Sequence, residues 1–478
     1  MILQLDGVGA LFEQLARALK GQILAGGYAP GSRLPATRTL AAALGISRNT
    51  VLGAYELLCV EQLALPHPAG TRVTGLAPKR RSRESRDALR AQSRYSARTR
   101  KLGAIALTGV KSGPRYDLNY SDTPMRPQLY SAWRRKLAAA AIRCGPKYLP
   151  SAGFYPLRDA IADYLRRRRG VACTAADVLI VSGTQQALSV VARAVLDEGN
   201  SAVIEDPHYQ FAKHTLLAHG ARLTKVRVDE DGMVTAELPA RAPRLIYVTA
   251  THQFPSGAVL SLQRRIELLR YAAANNCWVF EDDYNSEYHY DKRPLPVLRS
   301  LDVGERVIHA GSFSKTLFPG LRLGYLVCPP SLRNDLFMVK TLEDLGCSSI
   351  EQAALATFIE SRQYEKHLRK SLADLRIRRD ALLEALSRHL GENIEISPSA
   401  GGVHVVVWFR HLSYKGLHQL IEHALERGLG LYPIHPFYQT PPAMPGLMLG
   451  FAGLAPAQLN IATALLATCL KDVGGRVS

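Results

Sequence analysis

Lys315 sits in a setting that a surface charge does not explain well. In VIHAGSFSKTLFPGLRLGYLV, residues 307–327, an apolar run leads into Ser312 and Ser314, Lys315 follows, and Arg322 lies seven residues on. A lysine amine can form a Schiff base with an aldehyde, and hydroxyls with a guanidinium can chelate a phosphate. In CWVFEDDYNSEY, residues 277–288, another apolar run ends in Glu281, Asp282 and Asp283, with Tyr284 next. Carboxylates at the carboxyl end of a buried strand lie where α/β proteins build sites. One of them can hold a proton on a pyridine nitrogen and keep the ring an electron sink. Spacing alone leaves a Mg²⁺ site or a capping cluster equally open. In DVLIVSGTQQAL, residues 177–188, a strand ends at Ser182-Gly183-Thr184 before a helix, so backbone N–H groups suited to a phosphate are offered. A plain strand–helix turn is the commoner meaning of that pattern. In IEDPHYQF, residues 204–211, a strand ends so that Tyr209 can stack on a ring, although a core tyrosine is the commoner case.

Such groups need a frame. Residues 113–478 alternate helical patterns with short apolar runs flanked by Gly, Asp and Pro, which predicts an α/β body with a largely parallel sheet. Residues 77–112, PKRRSRESRDALRAQSRYSARTRK and its flanks, are rich in Arg and Ser and poor in large apolar residues, so a basic flexible linker is expected. The chain has 478 residues and a formal net charge of +19, which fits a nucleic-acid partner but does not prove one. The seven cysteines are scattered without a C-x-x-C pair, which argues against a disulfide framework and a zinc site. No basic leader and no long uncharged apolar stretch is visible, so a cytoplasmic protein that spans no membrane is expected.

Residues 1–76 form a third zone. Leu11, Leu15, Leu19 and Ile23 recur every four residues and predict one face of a helix that ends at Gly26-Gly27. Pro35 suits the first turn of a second helix, with Leu40 and Leu44 inward and Gly45 past its end. Ser47 is a good N-cap for a third helix with Val51, Tyr55 and Leu58 buried, which leaves Arg48, Asn49 and Thr50 exposed on its first turn. Two helices joined by Gly45-Ile46-Ser47 make a helix-turn-helix, whose second helix would enter the major groove by that turn. LALPHPAGTRV then predicts a two-stranded wing with Arg72 near phosphate. A small protein-binding helical module has similar periodicity, and the pattern alone leaves both readings open.

Two resemblances narrow these alternatives. LPATRTLAAALGISRNTVLGAY resembles the signature of the GntR-type winged helix over most of residues 11–74. That likeness implies DNA contacts at Arg38, Ser47, Arg48, Asn49, Thr50, Gly70 and Arg72. Glu61-Gln62 stands where that family usually has Glu-Gly. The four segments of the body, in their order, resemble fold type I, aspartate aminotransferase-like enzymes over about residues 115–470. THQFPSG, EDDYNSEY and GSFSKTLFPGLRLGY are similar to signatures of the MocR family, which joins a GntR-type reader to such a body.

The resemblance implies pyridoxal 5'-phosphate as cofactor, with Lys315 forming the internal aldimine. It places Asp282 on the pyridine nitrogen, Tyr284 on the ring hydroxyl and Tyr209 on the ring face. It gives the phosphate to Gly183, Thr184, Gln185, Ser312, Ser314 and Arg322, and gives Tyr148 to the phosphate of a neighbouring subunit. A homodimer, a smaller C-terminal α+β subdomain, a double-stranded DNA operator and a small amine or amino-acid-like effector follow from the same likeness. GABA, taurine, ectoine derivatives, D-alanine and pyridoxal phosphate itself lie within the family's range.

Two departures bear on activity. Phe254-Pro255-Ser256-Gly257 stands where the enzymes have Asn-Pro-Thr-Gly, a change that MocR relatives share. In GLMLGFA, Met448 stands where aminotransferases have the Arg that forks the substrate carboxylate, and a thioether cannot donate to a carboxylate. A regulator with little or no aminotransferase activity is expected. The alternatives are an active aminotransferase that carries a reader, and a regulator that senses the cofactor concentration. No metal site is expected.

Overall fold

The computed structural model describes residues 5–75, 93–102, 113–124, 127–145, 148–290, 295–398 and 400–474. They fall into two compact units, Met1–Ser93 and Arg94–Ser478.

The first unit packs helix α1 (Leu11–Leu24), helix α2 (Thr37–Leu44) and helix α3 (Arg48–Val60) against an antiparallel pair, β1 (Ala64–Leu65) and β2 (Arg72–Val73). Leu15, Leu19 and Ile23 are buried with Leu40, Val51, Tyr55 and Leu58. Leu11, expected on that face, is 41% exposed at the first residue of α1. The second helix starts at Thr37 rather than at Pro35, and the Pro35 carbonyl instead accepts the Tyr55 hydroxyl at 2.7 Å. Gly45, at φ +66°, closes α2 in the left-handed region that favours glycine. The Ser47 hydroxyl accepts the Thr50 amide and caps α3. Leu19→Ala should destabilise this unit by about 2–5 kcal/mol, because the side chain is fully buried and its space cannot be refilled. Urea unfolding followed by circular dichroism checks it.

The segment expected as a linker contains a helix, Arg94–Lys101, that belongs to the second unit. It buries no residue of its own. It is held by polar contacts: Arg98 pairs with Glu198 at 3.1 Å and donates to the Ala218 carbonyl at 2.9 Å, and the Tyr95 ring meets His219 edge-on. Low apolar content suggested a tether, but composition does not register arginines with fixed partners. The rest of residues 77–112 lies outside the described residues.

The second unit is built on an eight-stranded sheet in the order β4-β11-β10-β9-β8-β5-β6-β7. These strands are β4 (Val178–Val181), β5 (Ser201–Asp206), β6 (Arg222–Asp229), β7 (Gly232–Met233), β8 (Leu245–Val248), β9 (Trp278–Asp283), β10 (Val307–Ser312) and β11 (Gly324–Val327). The run β10-β9-β8-β5-β6 is parallel, while β11 runs against both β10 and β4. VLIV in β4 and LIYV in β8 are buried at every position, as strands covered on both faces require. A four-stranded antiparallel sheet follows, with β12 (Ile394–Ile396), β13 (His404–Phe409), β16 (Gly446–Gly450) and β15 (Tyr432–Pro433). It packs with helices Gln363–Leu390, Tyr414–Glu426 and Pro456–Asp472 and forms the expected α+β subdomain. The fold is thus an N-terminal winged helix-turn-helix and an α/β body with a mainly parallel sheet and a smaller α+β subdomain. No helix among the described residues is long and apolar enough to cross a membrane.

Candidate functional site

Apart from β11 and β7, the strands of the large sheet run the same way, and the carboxyl ends of β4, β5, β9 and β10 bring the four segments together. A cleft of about 570 Å³ is lined there by Thr184 and Gln185 after β4, Tyr209 after β5, Asp282 in β9 and Tyr284 just past it, Ser312 at the end of β10, and Ser314, Lys315 and Arg322 between β10 and β11. Gly183 touches the same edge. It has φ +88°, and a Cβ there would lie 3.2 Å from the Arg322 guanidinium. That guanidinium donates to the Ser182 carbonyl at 2.7 Å. The helix Thr184–Val195 begins at this point, so its free N–H groups and the positive end of its dipole meet Arg322 and the two serines.

Lys315 is half-buried, and its ammonium donates to the Ser121 carbonyl at 2.7 Å. Burial pushes the amine down to about 8, against the pull of the Asp122 carboxylate. Near neutrality it is therefore closer to its nucleophilic form than a surface lysine.

The three carboxylates of EDD have separate roles. Glu281 accepts the Leu298 and Arg299 amides and pairs with His309 at 2.9 Å, so it is the capping group. Asp283 pairs with buried Arg169 at 3.0 Å and accepts the Thr251 and Ser286 hydroxyls, and despite burial Arg169 helps hold it down at about 2. Asp282 differs from both. It is 5% exposed, and its Oδ2 accepts the Tyr247 hydroxyl at 2.7 Å while Oδ1 has no partner. Burial raises it to about 7, against that hydrogen bond. A carboxylate raised in this way gains most from a cationic N–H donor. Two more buried oxygens, the Tyr284 hydroxyl and Ser314 Oγ, also lack partners. No group of three or more His, Cys, Asp or Glu side chains placed to hold a metal ion occurs among the described residues.

Tyr148 does not line the cleft and is 92% exposed, so within one chain it has no part in the site. Phe254, singled out in the turn where the enzymes have Asn, also lines the cleft, whereas sequence reasoning missed Tyr120, Ser121, Tyr247, Thr249, Val403, His404 and Phe437. Tyr247 carried a signal, since a tyrosine inside the apolar run LIYV needs a buried partner for its hydroxyl. The others come from loops and the C-terminal subdomain and had none. Met448 lies in β16, fully buried against Val406 and Ile434 with Tyr120 and Phe437 packed nearby. Its position holds apolar contact where an arginine fork was the alternative.

In the first unit Arg38, Arg48 and Asn49 are exposed, and the Thr50 and Ser47 hydroxyls lie 2.8 Å apart. Gly70 takes φ +110°, where a Cβ would meet the Arg33 guanidinium at 2.5 Å. Arg72 is exposed, and one of its nitrogens donates to the Gly31 carbonyl at 3.1 Å.

Comparison with known proteins agrees with this geometry. Residues 119–463 match the family described as Aminotransferase class I and II, and residues 11–73 match Bacterial regulatory proteins, gntR family. The chain is 34% identical over 478 residues to the probable rhizopine catabolism regulatory protein MocR of Rhizobium meliloti, covering 96% of this chain and 94% of that one. It is 34% identical over 390 residues to the HTH-type transcriptional regulator TauR of Rhodobacter capsulatus, covering 80% of each. Among solved structures it is similar to LysN, the α-aminoadipate aminotransferase of Thermus thermophilus complexed with N-(5'-phosphopyridoxyl)-L-leucine. That likeness has a TM-score of 0.71 at 26% identity and covers 80% of this chain and 98% of that one. With a GntR-type DNA reader joined to an aminotransferase-like body, the chain belongs to the MocR family of transcription regulators.

Proposed function

We propose that the body holds pyridoxal phosphate at Lys315 and that a small amine reaching this site changes how the paired readers bind an operator. One observation carries the reading. Three buried oxygens without partners, Asp282 Oδ1, the Tyr284 hydroxyl and Ser314 Oγ, belong to residues that line one cleft with a lysine of lowered basicity. When bound, the cofactor supplies an aldehyde that condenses with amines and a ring that accepts electrons.

The chain's own residues do the rest. Asp282 would keep the ring nitrogen protonated, with Tyr247 fixing its other oxygen. Tyr284 would meet the ring hydroxyl, and Tyr209 would cover a ring face. Gly183, Thr184, Gln185, Ser312, Ser314 and Arg322 would hold the phosphate, and exposed Tyr148 would serve the site of a second copy in a homodimer. A small amine bound beside half-buried Lys315 would change the charge of the site, and such a change can bias two arrangements of the body. Arg38, Ser47, Arg48, Asn49, Thr50, Gly70 and Arg72 would face DNA, and the protein would act in the cytoplasm.

The intact cofactor set favours a second reading, a working aminotransferase. Met448 opposes it, because nothing at that position can fork a carboxylate.

The test is operator affinity, measured by fluorescence anisotropy on a duplex selected from random sequence, with and without pyridoxal phosphate and a panel of amines. We expect at least one amine to change affinity several-fold in the wild type and not in Lys315→Ala. Equal responses in both proteins, or none in either, would contradict the proposal. A response to the cofactor alone would make the cofactor the signal, and steady turnover of an amino acid with a keto acid would favour the enzyme.

A further inference from the structure

Beside the strand-end residues, the cleft is lined by a second group from loops and the C-terminal subdomain: Tyr120, Ser121, Phe254, Val403, His404 and Phe437. Its walls are aromatic. Tyr120 meets Phe254, Phe437 and His404 with centroids 5.8, 6.0 and 6.3 Å apart, and Phe254 meets Phe437 at 5.2 Å.

His404 supplies the polar feature of this group. It is buried, and its Nε2 lies 2.9 Å from the Pro255 carbonyl oxygen. A carbonyl only accepts, so Nε2 carries the proton. Burial lowers the imidazole to about 4, so the ring is neutral and Nδ1 is a bare acceptor, without any partner. A bare acceptor takes an O–H or N–H donor and repels a carboxylate.

Charge points the same way. The only lysine or arginine side chains among the described lining residues are Lys315 and Arg322. Lys315 is the group that would carry the cofactor, and Arg322, one nitrogen of which donates to the Ser182 carbonyl, would be taken by the phosphate in the reading above. Asp122, half-buried and electrostatically coupled to Lys315, adds negative charge beside this group. A buried acid group without a cationic partner is strongly disfavoured, whereas a hydroxyl facing a neutral imidazole nitrogen is satisfied.

We infer that the effector is a primary amine that carries hydroxyl groups and no acid group. The aromatic walls would cover its carbon skeleton, and His404 would accept one of its hydroxyls. The inference rests on the cofactor reading above and adds the class of amine.

The experiment uses the full-length protein after addition of pyridoxal phosphate. Ethanolamine is titrated against glycine, and propanolamine against β-alanine, each followed by the absorption of the bound cofactor and by calorimetry. The alcohols should act at concentrations at least about tenfold below those of the matched acids. His404→Phe should remove that preference, and Met448→Arg should move it toward the acids. If Met448→Arg fails to fold, the wild-type comparison and His404→Phe still decide. Acids acting as well as or better than their alcohols, or no response to either class, would overturn this inference and leave the cofactor reading intact. Absence of any cofactor absorption would overturn both.

Discussion

Asp282→Ala should weaken retention of pyridoxal phosphate by roughly 10–150-fold, the span of a charge-assisted hydrogen bond worth about 1.5–3 kcal/mol. The carboxylate is buried with one oxygen held by Tyr247 and the other without a partner, so its role is turned toward a ligand. The neighbouring carboxylate should behave differently. Asp283→Asn removes one partner of the buried pair with Arg169, and breaking such a pair costs about 3–5 kcal/mol of stability. Equilibrium dialysis with the cofactor, beside thermal unfolding, separates the two. If Asp282→Ala keeps the cofactor while Asp283→Asn loses it in a folded protein, the assignment of the two aspartates is reversed.

Arg48→Ala and Asn49→Ala should each weaken specific operator binding by about 1–3 kcal/mol, roughly 5–150-fold, because both side chains are exposed on the first turn of α3, where base edges are read. Neither should lower stability. Ser47→Ala is the contrast, since it removes the cap and should cost about 0.5–2 kcal/mol in unfolding. Anisotropy at fixed salt, on selected and scrambled duplexes, measures the effect. Equal losses on both duplexes would show phosphate contact in place of base reading.

Sequence alone showed what is local and hid what is assembled at long range. The strand ends SGT, EDD and SFSK were visible because each is an apolar run that stops at polar residues, and the sheet then brings such ends together. Which carboxylate of EDD faces the cleft was not visible in the spacing and came only from the family resemblance, because it depends on Arg169 and on His309, which lie outside that segment. Most of the second lining group stayed hidden for the same reason. Ser121 meets Lys315 across 194 residues of chain, and His404 meets Pro255 across 149. In the reader, Ser47 and Gly45 set the boundaries of their helices through caps that any sequence reading can use. The helix Arg94–Lys101 shows the limit of composition: three of its contacts come from Arg94 and Arg98 reaching Glu198 and the Ala218 carbonyl.

The most direct test of the account is a near-ultraviolet and visible absorption spectrum of the pure protein after addition of pyridoxal phosphate, recorded beside Lys315→Ala. A cofactor band in the wild type that is lost in the variant is the predicted result. No band in the wild type, or an equal band in Lys315→Ala, would contradict Lys315 as the group that holds the cofactor and would leave a DNA-binding protein on an aminotransferase scaffold without its chemistry.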